Sequence, residues 1–184
     1  MRLLHAFQSV ERVIYAPDLV RKENDVEHSY LLTLFCWYLL DSLRLPFSKE
    51  KVLSYALAHD LPEVYAGDTY IFDPEGLKTK DKREEKARKR LSDEFPEFED
   101  LHKTIDAYEK KEDAEAVFVH AVDKLIPIVT NYIQGGRIWK DMAVPHKELF
   151  ANKRLKIGNQ EEVRELLEQL IADMDARLSY YFTH

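Results

Sequence analysis

Four ionisable residues interrupt otherwise apolar stretches: His28 in DVEHSYLLTLF, the adjacent His59 and Asp60 in ALAHDLPEVYAGD, and Asp123 in FVHAVDKLIPIV. A buried charge is costly unless it is paired or coordinates a cation. Two imidazoles and two carboxylates directed into one core therefore read as ligands of one divalent metal ion. Mixed nitrogen and oxygen donors suit Mn, Co, Fe, Ni or Zn better than Ca or Mg, and four protein ligands on a six-coordinate ion leave room for water and substrate. Glu63 follows His59 and Asp60 by one helical turn and Asp68 follows Gly67, so both are expected at the rim as proton-transfer groups. A bound divalent ion acidifies a water and polarises a phosphoryl oxygen, which makes phosphoester hydrolysis the expected chemistry. Arg12, Arg21 and Lys124 are the expected phosphate contacts, arginine offering a bidentate grip.

These residues need helices to bring them together. Apolar residues recur at helical spacing through most of the chain. A first helix is expected over about 2–15, followed by an irregular segment from Pro17 that ends in Asn24 or Asp25 as an N-cap. The next helix, about 26–43, is apolar on every side and is expected to be buried all round. Ser48 opens a helix whose stripe of Val52, Leu53, Ala56 and Leu57 runs into His59. Charged segments at about 78–95 and 98–108 look peripheral. The apolar run 114–133 returns to the core with a kink expected at Pro127, and Gly135 and Gly136 end it. A loop containing Trp139 and Pro145 leads to a final amphipathic helix over about 159–182. The expected fold is all α, a single domain over 1–184, with the metal-site core in about 10–135 and the last helix packed on it.

The 184 residues suit one domain, with 45% hydrophobic and 33% charged residues and few glycines or prolines. Acidic residues outnumber basic ones by 34 to 27, a net charge of −7, which argues against a broad nucleic-acid footprint. In KTKDKREEKARKR, Asp81, Glu84 and Glu85 interleave the cations, so a solvated helix face is the better reading. Cys36 is the only cysteine; it reads as an inert buried thiol and requires no oxidising compartment, so a cytoplasmic location is expected. LLTLFCWYLLDSL is too short to cross a bilayer and MRLLHAFQSV lacks a signal-peptide pattern, so no membrane partner is expected. His120, one turn before Asp123, reads as a core or surface histidine.

The ordered set His28, His59-Asp60, Asp123 resembles the HD-domain metal-dependent phosphohydrolase superfamily. The strings RKENDVEHS and AHDLPEVYAGD resemble more narrowly the branch of the bacterial 5'-deoxynucleotidases, over roughly residues 10–130. The resemblance implies an HD-domain helical bundle with His28, His59, Asp60 and Asp123 on the metal, Glu63 and Asp68 as catalytic acids, and Arg12 and Arg21 near the substrate. It also implies a small-molecule nucleotide substrate, a (deoxy)nucleoside 5'-monophosphate, and a homodimer. Where those deoxynucleotidases follow the arginine with a tryptophan linked to sugar recognition, this chain has Val13 and Ile14. The rival readings are a dNTP triphosphohydrolase and a metal-containing nucleotide-binding regulator without turnover.

Overall fold

The computed structural model describes residues 2–183, so the two ends of the expected 1–184 domain lie outside the described residues. The architecture is a helical bundle built around one apolar helix, α7 (Ala114–Ile133). On one side it packs against α2 (Asp25–Ser42) and α3 (Lys49–Ala58), and on the other against α9 (His146–Ile157) and α10 (Glu161–Ala176). Two further helices, α5 (Pro74–Glu94) and α6 (Glu99–Lys110), cover a second, smaller cluster around Leu91 and Ile105. Phe118, Val119, Val122 and Leu125 of α7 are fully buried. This is the one helix among the described residues long and apolar enough to span a bilayer, and its packing makes it the core of the bundle.

Local sequence explains where the key helices begin and end. Asn24 Oδ1 accepts from the backbone N–H groups of Val26 and Glu27, both at 3.1 Å, and Glu27 Oε2 accepts from Asn24 N at 3.1 Å. This capping box satisfies the orphan donors at the start of α2 and sets His28 on its buried face. Ser48 caps α3 through Lys51 N, and α3 ends at Ala58, with His59 as its C-cap. The chain then turns through Asp60–Pro62 into α4 (Glu63–Ala66), which Gly67 ends at φ +72°.

Several expectations are corrected. The helix expected over 2–15 stops early: α1 covers Arg2–Phe7, and Glu11–Tyr15 forms strand β1, paired antiparallel with β2 (Lys22–Asn24). The β-branched pair Val13-Ile14 favours the extended form, and Asp18 Oδ1 closes the connecting turn by accepting from Val20 N and Arg21 N. The second helix is not buried all round. Leu32, Cys36 and Leu39 face the core, but Tyr30, Leu34, Trp37 and Tyr38 are exposed, because α2 has packing partners on one face only. The expected loop after Gly136 folds into α8 (Arg137–Asp141) and α9, and the final helix is two pieces, α10 and α11 (Leu178–Tyr181). The αL backbone of Gly136, φ +72°, lets α8 start against the chain's end: a Cβ there would lie 2.1 Å from the Tyr181 carbonyl oxygen.

Candidate functional site

The start of α2, the end of α3 and the middle of α7 converge on one point. His28 Nε2 lies 3.0 Å from Asp123 Oδ1 and 3.7 Å from Asp60 Oδ2, while His59 Nε2 lies 3.0 Å from Asp60 Oδ2 and 3.9 Å from Asp123 Oδ1. All four expected donors are thus brought together. His59 Nδ1 donates to the Ala56 carbonyl at 3.0 Å; a carbonyl can only accept, so this nitrogen carries a proton and Nε2 is the atom turned toward the carboxylates. Despite its 3.0 Å approach to Asp60, that Nε2 has no hydrogen-bond partner among the described residues. Acceptors that face one another this closely require a positive centre between them, either a proton or a cation. Donors bound to one first-row ion at about 2.0–2.2 Å stand roughly 3 Å apart when adjacent, so this spacing fits one divalent metal.

Electrostatics sharpen the picture. Burial opposes ionisation of Asp60, but His59 and Arg12 outweigh it and hold the carboxyl well below its usual range. Burial likewise opposes the charge on Asp123, and Lys124 and His28 outweigh it. Burial, with the nearby Arg12 cation, pushes His28 down to about 4. Glu63 behaves oppositely: burial, then Asp60, Asp25 and Asp68, raise it well above the ordinary carboxylate value, and its Oε2 has no hydrogen-bond partner among the described residues.

The β1–β2 hairpin delivers Arg12. Its Nη1 donates to Asp60 Oδ2 at 2.9 Å and to Asp25 Oδ1 at 3.1 Å, and its Nε is 3.8 Å from Glu23 Oε2. Burial works against the guanidinium, yet Asp60, Asp68, Asp123 and Asp25 more than compensate and raise its pKa. Sequence reasoning missed Glu23 and Asp25. Burial is the main reason each is pushed up to about 7, and one carboxylate oxygen from each of Asp25, Asp60 and Glu63 lies within 4.8 Å of the others. The only signal was the acidic run ENDVE before His28, which reads equally well as a helix start.

A cavity of about 420 Å³ opens beside these groups, a volume within the range of small-molecule sites. Arg12, Glu63, Asp68 and Lys124 line it together with His59, Asp60 and Asp123. Val13, Ile14, Phe72 and Trp139 add apolar surface. Lys124 Nζ is 2.5 Å from Asp123 Oδ2. Arg21 is not brought in: it is half exposed, is absent from the lining, and pairs with Glu27 at 2.5 Å and Asp18 at 3.7 Å. The lining also reaches Leu149, Lys153 and Lys156 of α9, beyond the expected 10–135 core.

The sequence and fold both have known counterparts. A family model described as HD domain matches residues 5–166. The human protein 5'-deoxynucleotidase HDDC2 is 30% identical over 128 residues, 67% of this chain and 61% of its own length. The bovine counterpart of the same name is 29% identical over 127 residues, covering 67% and 60%. The match to this chain thus spans about 60% of the length of these curated relatives. A crystal structure of a predicted metal-dependent phosphohydrolase from Magnetospirillum magnetotacticum superposes with a TM-score of 0.77 at 27% identity, covering 98% of this chain and 91% of that one. A conserved hypothetical protein from Pyrococcus furiosus shares the fold, with a TM-score of 0.65 at 23% identity over 93% of this chain and 96% of that one. With the model matched over most of the sequence and the histidine–aspartate core assembled in three dimensions, the chain belongs to the HD-domain family.

Proposed function

We propose that this protein is a metal-dependent phosphohydrolase that cleaves a nucleotide phosphomonoester, a (deoxy)nucleoside 5'-monophosphate giving nucleoside and phosphate. The observation that carries this reading is the convergence of His28, His59, Asp60 and Asp123 on one point, with His59, Asp60 and Asp123 on the wall of a cavity whose lining also includes Glu63 and Asp68. The relatives named 5'-deoxynucleotidase support the same chemistry.

His28, His59, Asp60 and Asp123 would hold one divalent ion, which supplies acidification of a water and polarisation of a phosphoryl oxygen. The remaining work falls to the chain's own groups. Hydrolysis forms a bond from the water oxygen to phosphorus and breaks the phosphorus–O5' bond, so one proton leaves the water and one reaches the departing oxygen. Glu63 is suited to give that proton, because burial and the neighbouring carboxylates Asp60, Asp25 and Asp68 favour its protonated form. Asp68, on the same lining, is the second proton-transfer group. Arg12 and Lys124 orient phosphoryl oxygens, and Trp139 and Phe72 offer the sugar and base an apolar wall.

The test is a screen of nucleoside mono-, di- and triphosphates against Mn, Co, Fe, Ni, Zn and Mg, with the released phosphate species identified. Orthophosphate from a nucleoside 5'-monophosphate is the expected product. Tripolyphosphate released from a dNTP would move the assignment to a triphosphohydrolase. Nucleotides that raise the melting temperature without any phosphate release would make the protein a regulator.

A further inference from the structure

The cavity lining carries charges of both signs: Asp60, Glu63 and Asp68 contribute carboxylates, and Lys124, Lys153 and Lys156 contribute ammonium groups. Lys124 is already matched by Asp123 at 2.5 Å. Lys153 is not: it is 3% exposed, and among the described residues no hydrogen bond or ion pair engages its ammonium. Lys156, one turn along α9, also lines the cavity and forms no ion pair among the described residues.

An unpaired ammonium in the interior is costly to desolvate. Nothing in the packing of α9 demands it, since its buried neighbours Leu149, Phe150 and Ile157 are apolar and a leucine or methionine would continue their stripe. Burial, together with Lys124 nearby, pushes Lys153 down to about 7, the response expected of a cation without a counterion. The scissile phosphate, by contrast, has cationic partners in Arg12, Lys124 and the ion that the four donors would hold. Lys153 and Lys156 are surplus to a monophosphate.

We propose that Lys153 and Lys156 form a subsite for a second phosphate of the substrate, separate from the phosphomonoester that is cleaved. The inference rests on the phosphohydrolase reading above and moves its preferred substrate from a nucleoside monophosphate to a nucleotide with two phosphate groups. The second group is either on the ribose, as in a nucleoside 3',5'-bisphosphate, or in the chain, as in a 5'-diphosphate.

Two measurements test it with the full chain. In the first, isothermal titration compares deoxyadenosine 5'-monophosphate, 3',5'-bisphosphate and 5'-diphosphate binding to metal-free wild type and to the Lys153→Met/Lys156→Gln variant. Wild type should bind one of the two-phosphate ligands at least tenfold more tightly than the monophosphate, and the variant should lose that preference. Which ligand wins places the second phosphate on the ribose or in the chain. In the second, kcat/KM for P–O5' cleavage by metal-loaded enzyme, read as orthophosphate released from the monophosphate and the bisphosphate and as pyrophosphate released from the diphosphate, should show the same ratio and the same collapse. Equal binding of all three by wild type overturns the proposal, as does a preference that survives both substitutions. Methionine at position 153 removes a buried charge and keeps all but one atom of the side chain's length, and an unchanged or higher melting temperature of the metal-free variant confirms that it folds. If the binding preference appears and is lost as described while no nucleotide is hydrolysed with any metal, the hydrolase reading fails and the subsite stands.

Discussion

Metal binding should appear as thermal stability, and the four-donor cluster sets the expected size. His28 Nε2, His59 Nε2, Asp60 Oδ2 and Asp123 Oδ1 lie 3.0–3.9 Å apart across the pairs that join imidazole to carboxylate, an arrangement that exists only when α2, α3 and α7 are packed. A cation bound there binds the folded chain and not the unfolded one. At a free metal concentration one hundred times Kd, such linkage stabilises by about 2.7 kcal/mol. For a domain of this size each kcal/mol moves Tm by about 2–4 °C, so the best-fitting metal should raise Tm by roughly 5–11 °C. Metal-free protein is titrated with Mn, Co, Fe, Ni and Zn and followed by differential scanning calorimetry, alongside a His59→Ala/Asp60→Asn double variant. The variant should be folded without metal and show little or no increment. A rise of equal size in the double variant, or no rise with any of the five metals, would refute the assignment of these residues as ligands.

Substituting the acids beside the cluster should separate catalysis from metal binding: Glu63→Gln and Asp68→Asn should each lower kcat by about 10²- to 10⁴-fold while keeping the metal-dependent rise in Tm. Gly136→Ala should destabilise by at least about 1–2 kcal/mol in urea titration from its left-handed backbone alone, with more from the clash at the Tyr181 carbonyl. His120 is held at about 3, chiefly by burial and then by Lys124. Between its ordinary value and that pKa the unfolded chain therefore binds a proton that the folded chain refuses, so stability falls as pH drops through this window. A His120→Gln variant should lose less Tm than wild type between pH 7 and pH 5; an identical loss would remove His120 from the account. Burial pushes the Cys36 thiol up, so an aromatic disulfide reagent should label it only under denaturing conditions, and rapid native labelling would contradict its place in the core.

The residues with the strongest sequence signal were those in conflict with their surroundings. His28, His59-Asp60 and Asp123 stand in apolar helical stretches, where an ionisable group is costly unless something compensates it, so their types and positions alone singled them out as a set. The helix around them was legible for the same reason: the Asn24 cap, the Ser48 cap and the Gly135-Gly136 stop are local chemistry acting over a few residues. Three-dimensional packing decided what such local rules cannot. Whether 11–15 becomes a strand depends on a partner at 22–24, and that pairing, not helix propensity, carries Arg12 to Asp60 and leaves Arg21 outside the cavity with Glu27. Which face of α2 is buried depends on where α3 and α7 sit. Helix α9 escaped the periodicity argument because its buried stripe, Leu149, Phe150, Lys153 and Ile157, contains a lysine where an apolar residue is expected. Sequence alone reveals each residue's chemistry and its local backbone preference; which charges face one another is decided by long-range packing, because a charge's partners, and so its burial and its pKa, come from distant parts of the chain.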